Sequence, residues 1–227
     1  MNMDPTFLTL GAESLRQKVY DELRLKIREG AFADGTKLVD VAIARQLGIS
    51  RMPVREALLR LAAEGHVQST TRGFEVRVPD AAAIAEIFEA RRLIEPQVAA
   101  NAARVLTEAE LARMQELVAG AEKAVAEDDP VALGVVNAEF RAIWVAASTN
   151  KRLAGMLQHC TDQVEIVRQA TLIDPHTQRV VLTGMRDLLA AFLRRDTLAV
   201  AQRMYLFACE AEYSYSQLPQ IAAASQG

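Results

Sequence analysis

Residues 41–78 carry the pattern that most restricts how this chain can fold. A short segment of helical periodicity, VAIARQL, ends at Gly48, and a second such segment starts after Ser50, whose hydroxyl can cap a helix. Pro53 falls in the first turn of that second helix, where a missing N–H costs little. The following residues, HVQSTTRGFEVRV, alternate around a glycine-containing turn and predict a β-hairpin. Two short helices followed by a hairpin predict a winged helix-turn-helix.

A longer helix precedes this pattern, and the chain changes character after it. Ser14 with Gln17 resembles a capping box, and apolar residues recur at helical spacing behind it. From Pro79 onward the alternation gives way to helical periodicity. We therefore predict an N-terminal domain over 1–78 with its ordered part at about 12–78, a helical domain over 79–220, and a disordered tail over 221–227.

The second half of the chain shows helical periodicity throughout. Thr107 with Glu110 forms another capping-box signature. Two Asp-Pro pairs, at 129–130 and 174–175, each place a capping acid before a proline suited to a first helical turn. These signals predict six helices, over 81–105, 108–127, 131–148, 152–172, 177–195 and 197–216. The predicted fold class is mainly α, with the winged helix-turn-helix domain followed by an all-α helical bundle.

Charge separates the two halves. The whole chain has 26 Lys and Arg against 29 Asp and Glu, a net charge of -3 that argues against DNA binding through bulk positive charge. Residues 1–78, however, hold 12 basic against 10 acidic side chains, whereas 79–227 hold 14 against 19. Within 45–77, six arginines face three glutamates, a local charge of +3. The first half can therefore bind a polyanion, although the chain as a whole is slightly acidic.

Other function classes lack their sequence signals. Cys160 and Cys209 lie far apart without a metal-ligand spacing, which favours a reduced, cytoplasmic protein. No run of about eighteen consecutive apolar residues indicates a membrane span. Neither a GxSxG, an HExxH nor a phosphate-binding loop occurs, so we do not expect an enzyme.

Two arginines of the predicted third helix suit the recognition of DNA bases. Arg51 and Arg55 lie four residues apart, on one face of the helix and away from its apolar stripe. An arginine on such a helix can present a planar pair of donors to O6 and N7 of guanine in the major groove, which lysine cannot do equivalently. The pair therefore predicts sequence-specific contacts with double-stranded DNA.

Neighbouring segments supply candidates for contacts with the DNA backbone or the minor groove. These are Arg45, the Ser50 hydroxyl, and Arg72 with Gly73 at the hairpin tip. In the alternative interpretation, Arg51 and Arg55 form an ordinary solvated helix face and pair with Glu56 or Asp40.

The sequence SRMPVREALLRLAAEGHV followed by RGFEV resembles the signature of GntR-family transcription regulators, over about residues 14–78. The resemblance implies that the arginines matching Arg51 and Arg55 contact bases and that the glycine of the hairpin contacts the minor groove. Two residues depart from the family pattern. Met52, which we also expect to contact DNA, occupies a position on the DNA-contacting helix where a small hydroxyl residue is usual. Val41 stands where some members have a DNA-contacting arginine.

Residues 80–217 resemble the all-helical FCD effector domain of the FadR-like subfamily, through AEIFEARRLIEPQVAANAA, NAEFRAIWVAASTNKRL and MRDLLAAFLRRDTLAVAQRM. The resemblance implies that the domain over 79–220 senses a ligand and dimerises. In many such domains an aspartate and three histidines hold a divalent metal that binds a carboxylate effector. The four matching positions here are poor metal ligands, namely Asn137, Arg141, Met185 and Phe207. The histidines of the chain are not spaced to replace them, being His66, His159 and His176. We therefore expect no metal and no cofactor.

A positive charge can replace the metal. Arg91 lies on the apolar stripe of its helix and should point inward, where it needs an acid such as Glu95 or a bound anion. Arg141 stands where a metal ligand would be, and we expect it to bind an effector carboxylate bidentately, with Arg91 assisting. The other predicted effector-site residues are Asn137, Trp144, Met185, Met204 and Phe207. In the alternative, Arg91 only bridges helices and the apolar residues belong to an ordinary core.

Together these features predict a homodimeric, ligand-responsive transcription regulator that binds a short pseudo-palindrome of DNA. We expect repression relieved by a small organic acid, since this is the commoner behaviour of the family. Two alternatives stay open. One is a metal-dependent carboxylate sensor with shifted ligands, His159 with Asp162 or Glu165, and the other is a regulator that responds to acyl-coenzyme A.

Overall fold

The computed structural model describes residues 12–28, 30–77, 80–158, 160 and 171–217. The chain divides after residue 79 into two compact units. The described part of the first unit contains α1 (Ala12–Arg28), β1 (Lys37–Leu38), α2 (Asp40–Leu47), α3 (Arg51–Ala63), β2 (Val67–Thr70) and β3 (Gly73–Val76). This order confirms the predicted winged helix-turn-helix and adds the short strand β1.

The strands form an antiparallel sheet in the order β1-β3-β2. Thr70 pairs with Gly73 at the tip of the β2–β3 hairpin, as the alternating pattern predicts. Leu38 of β1 pairs with Phe74 on the other edge of β3. Both of these side chains are buried and pack with Leu58 of α3 in the core of the first unit. A third strand therefore supports the hairpin along the outer edge of β3.

The turn between α2 and α3 follows from two small residues. Gly48 adopts a left-handed conformation with φ 66°, and its N–H binds the last carbonyls of α2. Ser50 takes the N-cap position of α3 with extended backbone angles, but its side chain makes no capping hydrogen bond. The expected position of the cap is thus confirmed, but the hydroxyl of Ser50 does not cap the helix.

The start of α1 differs from the prediction. The helix begins at Ala12, so Ser14 lies inside it and cannot be its N-cap residue. Gln17 does not complete a capping box, because its side-chain amide donates to Asp21 at 2.8 Å and its oxygen accepts from Arg60 at 2.9 Å. A Ser-x-x-Gln spacing also occurs inside helices, and here the structure contradicts the capping assignment.

The second unit is helical, and its described elements begin and end close to the predicted positions. They are α4 (Ala81–Ala103), α5 (Glu108–Ala126), α6 (Pro130–Ala147), α7 (Pro175–Leu193) and α8 (Thr197–Ser216). Residues 151–158 are also helical. Most of the helix predicted over 152–172 and all of the tail predicted over 221–227 lie outside the described residues.

Helices α4 to α8 each begin with a side chain that caps the backbone of the first turn. The capping residues are Asp80, Thr107, Asp129, Asp174 and Asp196. At Thr107 the arrangement is a full capping box, in which Glu110 returns a bond to the backbone N–H of Thr107 at 2.7 Å. The first residue of each of these helices is thus determined locally.

Helix α6 packs one face against the rest of this unit. By length and composition alone, its 18 residues with a mean hydropathy of 1.2 could span a membrane, and 22% of them are buried. Leu133, Phe140 and Trp144 of its inner face are almost completely buried against the other helices. The same helix carries Arg141 in an ion pair. This combination fits an amphipathic helix of a folded bundle.

Candidate nucleic-acid interface and effector cavity

Arginines of α3 and of the β2–β3 turn face one groove in the first unit. Arg51, Arg55 and Arg72 line this groove, which has a volume of about 290 Å³. Gly73 lines it as well, with φ 130°, and a Cβ at this position would stand only 3.2 Å from the backbone oxygen of Leu38. Positive φ and the close strand both favour glycine here. The groove brings together four of the predicted DNA-contacting residues.

The remaining predicted DNA-contacting residues are exposed and lie outside the lining of the groove. Arg45 is in the last turn of α2, and Ser50 precedes the first turn of α3. Met52 is 59% exposed, so core packing does not explain this methionine. An exposed apolar side chain on the helix that carries Arg51 can touch a thymine methyl group or a sugar.

Asp40 lies beneath Arg51 and Arg55 of α3. It is the first residue of α2, and its side chain is 7% exposed. One carboxylate oxygen accepts from Arg51 Nε at 2.9 Å and from Arg55 Nη1 at 3.4 Å, and the other accepts from the backbone N–H of Val41 at 2.8 Å. Burial raises the pKa of Asp40, but the hydrogen bonds and the positive charge of Arg51 outweigh it and lower the pKa.

The pairing expected from the alternative interpretation is therefore present in part. Arg51 and Arg55 bind Asp40. Glu56 instead pairs with Arg16, with 3.4 Å between Glu56 Oε2 and Arg16 Nη1. About half of each arginine side chain stays exposed, at 56% for Arg51 and 47% for Arg55. The ion pair and an exposed donor surface thus coexist on these two residues.

A small cavity of about 60 Å³ lies in the second unit, among α4, α6, α7 and α8. Six of the predicted effector-site residues line it, namely Arg91, Asn137, Arg141, Trp144, Met204 and Phe207. Met185 does not line it and is fully buried in the core. On α7 the lining is formed by Thr177, Val180, Val181 and Leu188, and Met185 is not among them.

Arg91, Glu95 and Arg141 form a buried ion cluster in the cavity wall. A single oxygen of Glu95 accepts from Arg91 Nε at 2.6 Å and from Arg141 Nη2 at 2.7 Å. The side chains are 7%, 1% and 12% exposed, respectively. The inward direction predicted for Arg91 is confirmed, and Glu95 is its acid. The cluster joins α4 to α6, so it also has a structural role.

Aromatic rings cover both guanidinium groups. Cζ of Arg91 lies 4.8 Å from the ring centroid of Phe88, and Cζ of Arg141 lies 5.0 Å from the ring centroid of Trp144. Burial raises the pKa of Glu95, but the charges of Arg141 and Arg91, followed by their hydrogen bonds, outweigh burial and lower the pKa to about 2. At neutral pH the cavity wall therefore contains a carboxylate and two cations in fixed positions.

One buried hydroxyl of the lining lacks a hydrogen-bond partner within the described part of the chain. Ser214 is 5% exposed, and its hydroxyl has no partner among these residues. The amide of Asn137, which is 8% exposed, adds a second polar group to the lining. Sequence reasoning missed Ser214, but its spacing of seven residues from Phe207 places both on one face of α8.

The donor chemistry of the second unit does not fit the metal site of related effector domains. Asn137, Arg141, Met185 and Phe207 occupy the matching positions, and an arginine cation among them would repel a metal ion. Among the described residues, no group of three or more His, Cys, Asp and Glu side chains could hold a metal. The alternative ligands of the sequence prediction, His159, Asp162 and Glu165, lie outside the described residues.

Gly184 shapes the cavity from behind Phe207. A Cβ at this position would lie 2.7 Å from two ring atoms of Phe207, which lines the cavity. We expect Gly184→Ala to displace that ring and to lower the free energy of unfolding by about 1–3 kcal/mol, despite the higher helix propensity of alanine. Urea unfolding followed by far-UV circular dichroism measures the change.

Gly155 provides the matched control for Gly184→Ala. It is a helical glycine, and a Cβ there would meet nothing within 4 Å. Gly155→Ala should leave stability unchanged or raise it by up to about 1 kcal/mol. Equal effects of the two substitutions would contradict the role assigned to Gly184.

Comparisons with known proteins cover both units. Residues 15–76 match the model for bacterial regulatory proteins of the gntR family, and residues 86–206 match the FCD domain. The HTH-type transcriptional regulator YdhC of Bacillus subtilis is 25% identical over 82% of this chain and 84% of its own. The HTH-type transcriptional repressor RspR of Escherichia coli is 24% identical over 92% of each chain. The solved structure of E. coli McbR/YncC has the same fold, with a TM-score of 0.77 and 24% identity over 92% of this chain and 99% of that one.

Proposed function

The chain belongs to the FCD-containing GntR family of bacterial regulatory proteins, and on this basis we propose that it is an effector-controlled repressor that binds operator DNA as a homodimer. Family membership makes it a DNA-binding transcription regulator and not an enzyme. RspR of Escherichia coli, which is similar to this chain over almost the whole length, is a transcriptional repressor. The protein acts in the cytoplasm, where the bacterial chromosome lies.

Base contacts are assigned to α3. Arg51 and Arg55 present guanidinium donors to guanine in the major groove, and exposed Met52 lies between them on the same helix. Arg72 and Gly73 at the hairpin tip, together with Arg45 and Ser50, contact the backbone or the minor groove. The observation that carries this assignment is the single groove lined by the arginines of α3 and the arginine of the hairpin. In a homodimer, two such grooves match the half-sites of a pseudo-palindrome.

The effector is a small organic acid held in the cavity of the second unit without a metal. Glu95 binds Arg91 through Nε, and the terminal Nη groups of Arg91 can receive a ligand carboxylate together with Arg141. Trp144, Met204 and Phe207 enclose the apolar part of the ligand. The cluster of two arginines with one carboxylate, buried beside a cavity, carries this part of the proposal.

Cavity size and polarity narrow the class of effector. A volume of about 60 Å³ is far below the hundreds of Å³ that a drug-sized ligand fills, which disfavours acyl-coenzyme A. A buried hydroxyl without a partner is destabilising, and a ligand that hydrogen-bonds to Ser214 removes that cost. Short hydroxy and keto acids combine a carboxylate with such a second polar group.

Arg141 gives a direct test of effector binding. In a thermal-shift screen of short organic acids, we expect the wild-type protein to be stabilised by about 2.7 kcal/mol at a ligand concentration of 100 times Kd. Arg141→Ala should lower ligand affinity at least about 10-fold, and Arg141→Lys should lower it less because the charge remains. Isothermal titration measures both affinities.

Arg186 is the matched control for Arg141. It is exposed on α7, where it pairs with Glu122 on the surface, and Arg186→Ala removes the same charge away from the cavity. Unchanged ligand affinity in Arg141→Ala would contradict the assigned site. Stoichiometric tightly bound zinc or nickel in the purified protein would instead support the metal-dependent alternative. A further experiment tests whether the effector releases the protein from DNA. The stabilising acid is added to the protein–DNA complex, and a repressor relieved by its effector should then release DNA.

A further inference from the structure

A buried carboxylate at a DNA-binding surface needs a physical reason. Asp40 is 5% exposed and ionised, because its pKa is lowered, and a negative charge near DNA repels the phosphates. Burial of a charge also costs free energy unless the charge is paired. Both costs are offset at Asp40 by the bonds to Arg51 and Arg55.

The carboxylate of Asp40 is held rigidly by α2. Its Oδ1 accepts the backbone N–H of Val41 at 2.8 Å, which fixes the carboxylate at the positive end of the helix. Only Oδ2 is then directed at the two arginines. A rigid acceptor of this kind restricts the rotamers of the long side chains that bind it.

Each arginine uses a different nitrogen for Asp40. Arg51 donates through Nε at 2.9 Å, so its two terminal Nη groups form the edge that points away from Asp40. Arg55 donates through Nη1 at 3.4 Å, which leaves Nη2 and Nε as its second edge. Either edge offers two parallel N–H donors, the number needed for O6 and N7 of guanine.

We propose that Asp40 is a positioning residue for sequence specificity, which orients the guanidinium planes of Arg51 and Arg55 before DNA binds. The inference rests on the proposed base contacts of these two arginines. With Asp40 present, each arginine loses less rotamer freedom when it meets a base and presents a defined edge. Without Asp40, the same arginines still carry positive charge and attract phosphates, but they no longer discriminate between bases as strongly.

Asp40→Ala and Asp40→Asn in the full-length chain test this role. The probes are a duplex selected from a random pool by the wild-type protein and a scrambled duplex of the same length and composition. For Asp40→Ala we expect affinity for the selected duplex to fall at least about 10-fold, while affinity for the scrambled duplex stays constant or rises. Asp40→Asn keeps an oxygen acceptor but loses the charge, so its specificity should lie between those of Asp40→Ala and the wild type.

The ratio of the two affinities separates positioning from other roles. A purely structural role of Asp40 would weaken binding to both duplexes, and a purely repulsive role would strengthen binding to both, so either result would overturn the proposal. Retained affinity for the scrambled duplex also shows that the winged unit is folded. Asp21→Asn, which changes an exposed acid of α1, is the control for charge and should leave the ratio unchanged.

Guanine analogues identify the contact itself. The contacted guanines can be replaced by 7-deazaguanine, which lacks the N7 acceptor. This replacement should lower the DNA affinity of the wild-type protein more than that of the Asp40→Ala variant, because the variant has already lost part of this contact. Equal losses in the two proteins would contradict the positioning role. If Arg51→Ala and Arg55→Ala also left the affinity ratio unchanged, the base contacts themselves would be wrong, which is a different result from failure of Asp40 alone.

Discussion

Arg51→Ala is expected to abolish most of the preference of the protein for its operator over unrelated DNA. A bidentate arginine–guanine contact discriminates by about 1–3 kcal/mol, so each half-site should lose roughly 5- to 150-fold in affinity. In a homodimer the two losses multiply, because both half-sites carry the substitution. Arg55 and Asp40 keep their own contact, so the surface around the missing side chain has little reason to rearrange. Fluorescence anisotropy with selected and scrambled duplexes measures the change.

Salt dependence separates lost base contacts from lost charge. Affinity for DNA should fall steeply with salt in the wild type, since several phosphates are neutralised in each dimer. Arg51→Ala should change this slope little while it lowers affinity for the selected duplex. Arg113→Ala, which removes an exposed arginine of α5, controls for net charge and should bind both duplexes as the wild type does. Parallel losses for both duplexes in Arg51→Ala would assign Arg51 to the phosphates instead.

Glu95→Ala is expected to lower the free energy of unfolding of the helical unit by about 3–5 kcal/mol. Removal of one member of a buried ion pair leaves the other charge in a low-dielectric environment, and here two guanidinium groups lose the same carboxylate. Trp144 is the single tryptophan of the chain and is buried in this unit, so its fluorescence during urea unfolding reports the loss directly. Glu122→Ala, at an exposed pair with Arg186, should cost less than about 1 kcal/mol.

The same substitution predicts a change in the acid response. Glu95 has a folded-state pKa of about 2, below its ordinary value of 4.5, so its ionised form adds stability. That stability is fully present above about pH 4.5 and is lost as the pH falls towards 2. The wild-type protein should therefore lose more stability over this range than Glu95→Ala does. Identical pH profiles of the two proteins would show that Glu95 is not held ionised by Arg91 and Arg141.

Local signals in the sequence were sufficient for most of the fold. Gly48, Ser50 and Pro53 act on their own turn of backbone, and the structure has the helices where these residues predict them. Strand β1 escaped prediction because two residues show no periodicity and pair only with a strand far along the chain. The start of α1 was misplaced because Ser14 fits a capping motif that the longer helix does not use.

The candidate sites were less predictable, because they depend on contacts between distant residues. Helical spacing was enough to direct Arg91 inward and to offer Glu95, four residues later, as its partner. It could not show that Arg141, 46 residues away from Glu95, binds the same carboxylate oxygen. The sequence presents Asp40 only as a competitor for the arginines, whereas in the structure one of its carboxylate oxygens accepts from both of them. Met185 is predicted to line the cavity and does not, because a pattern of residues does not specify the rotation of a packed helix.

The capped helix starts of the second unit have an evolutionary consequence. Because α4 to α8 each begin at a side chain that binds its own first turn, the length of a preceding turn does not decide which residue starts the next helix. Insertions in those turns would therefore not change which residues lie on which face of each helix, including the face of α7 that lines the cavity. The bundle is in this sense modular, and the turns between its helices can lengthen, by natural drift or by engineering, while the residues that line its cavity stay in place.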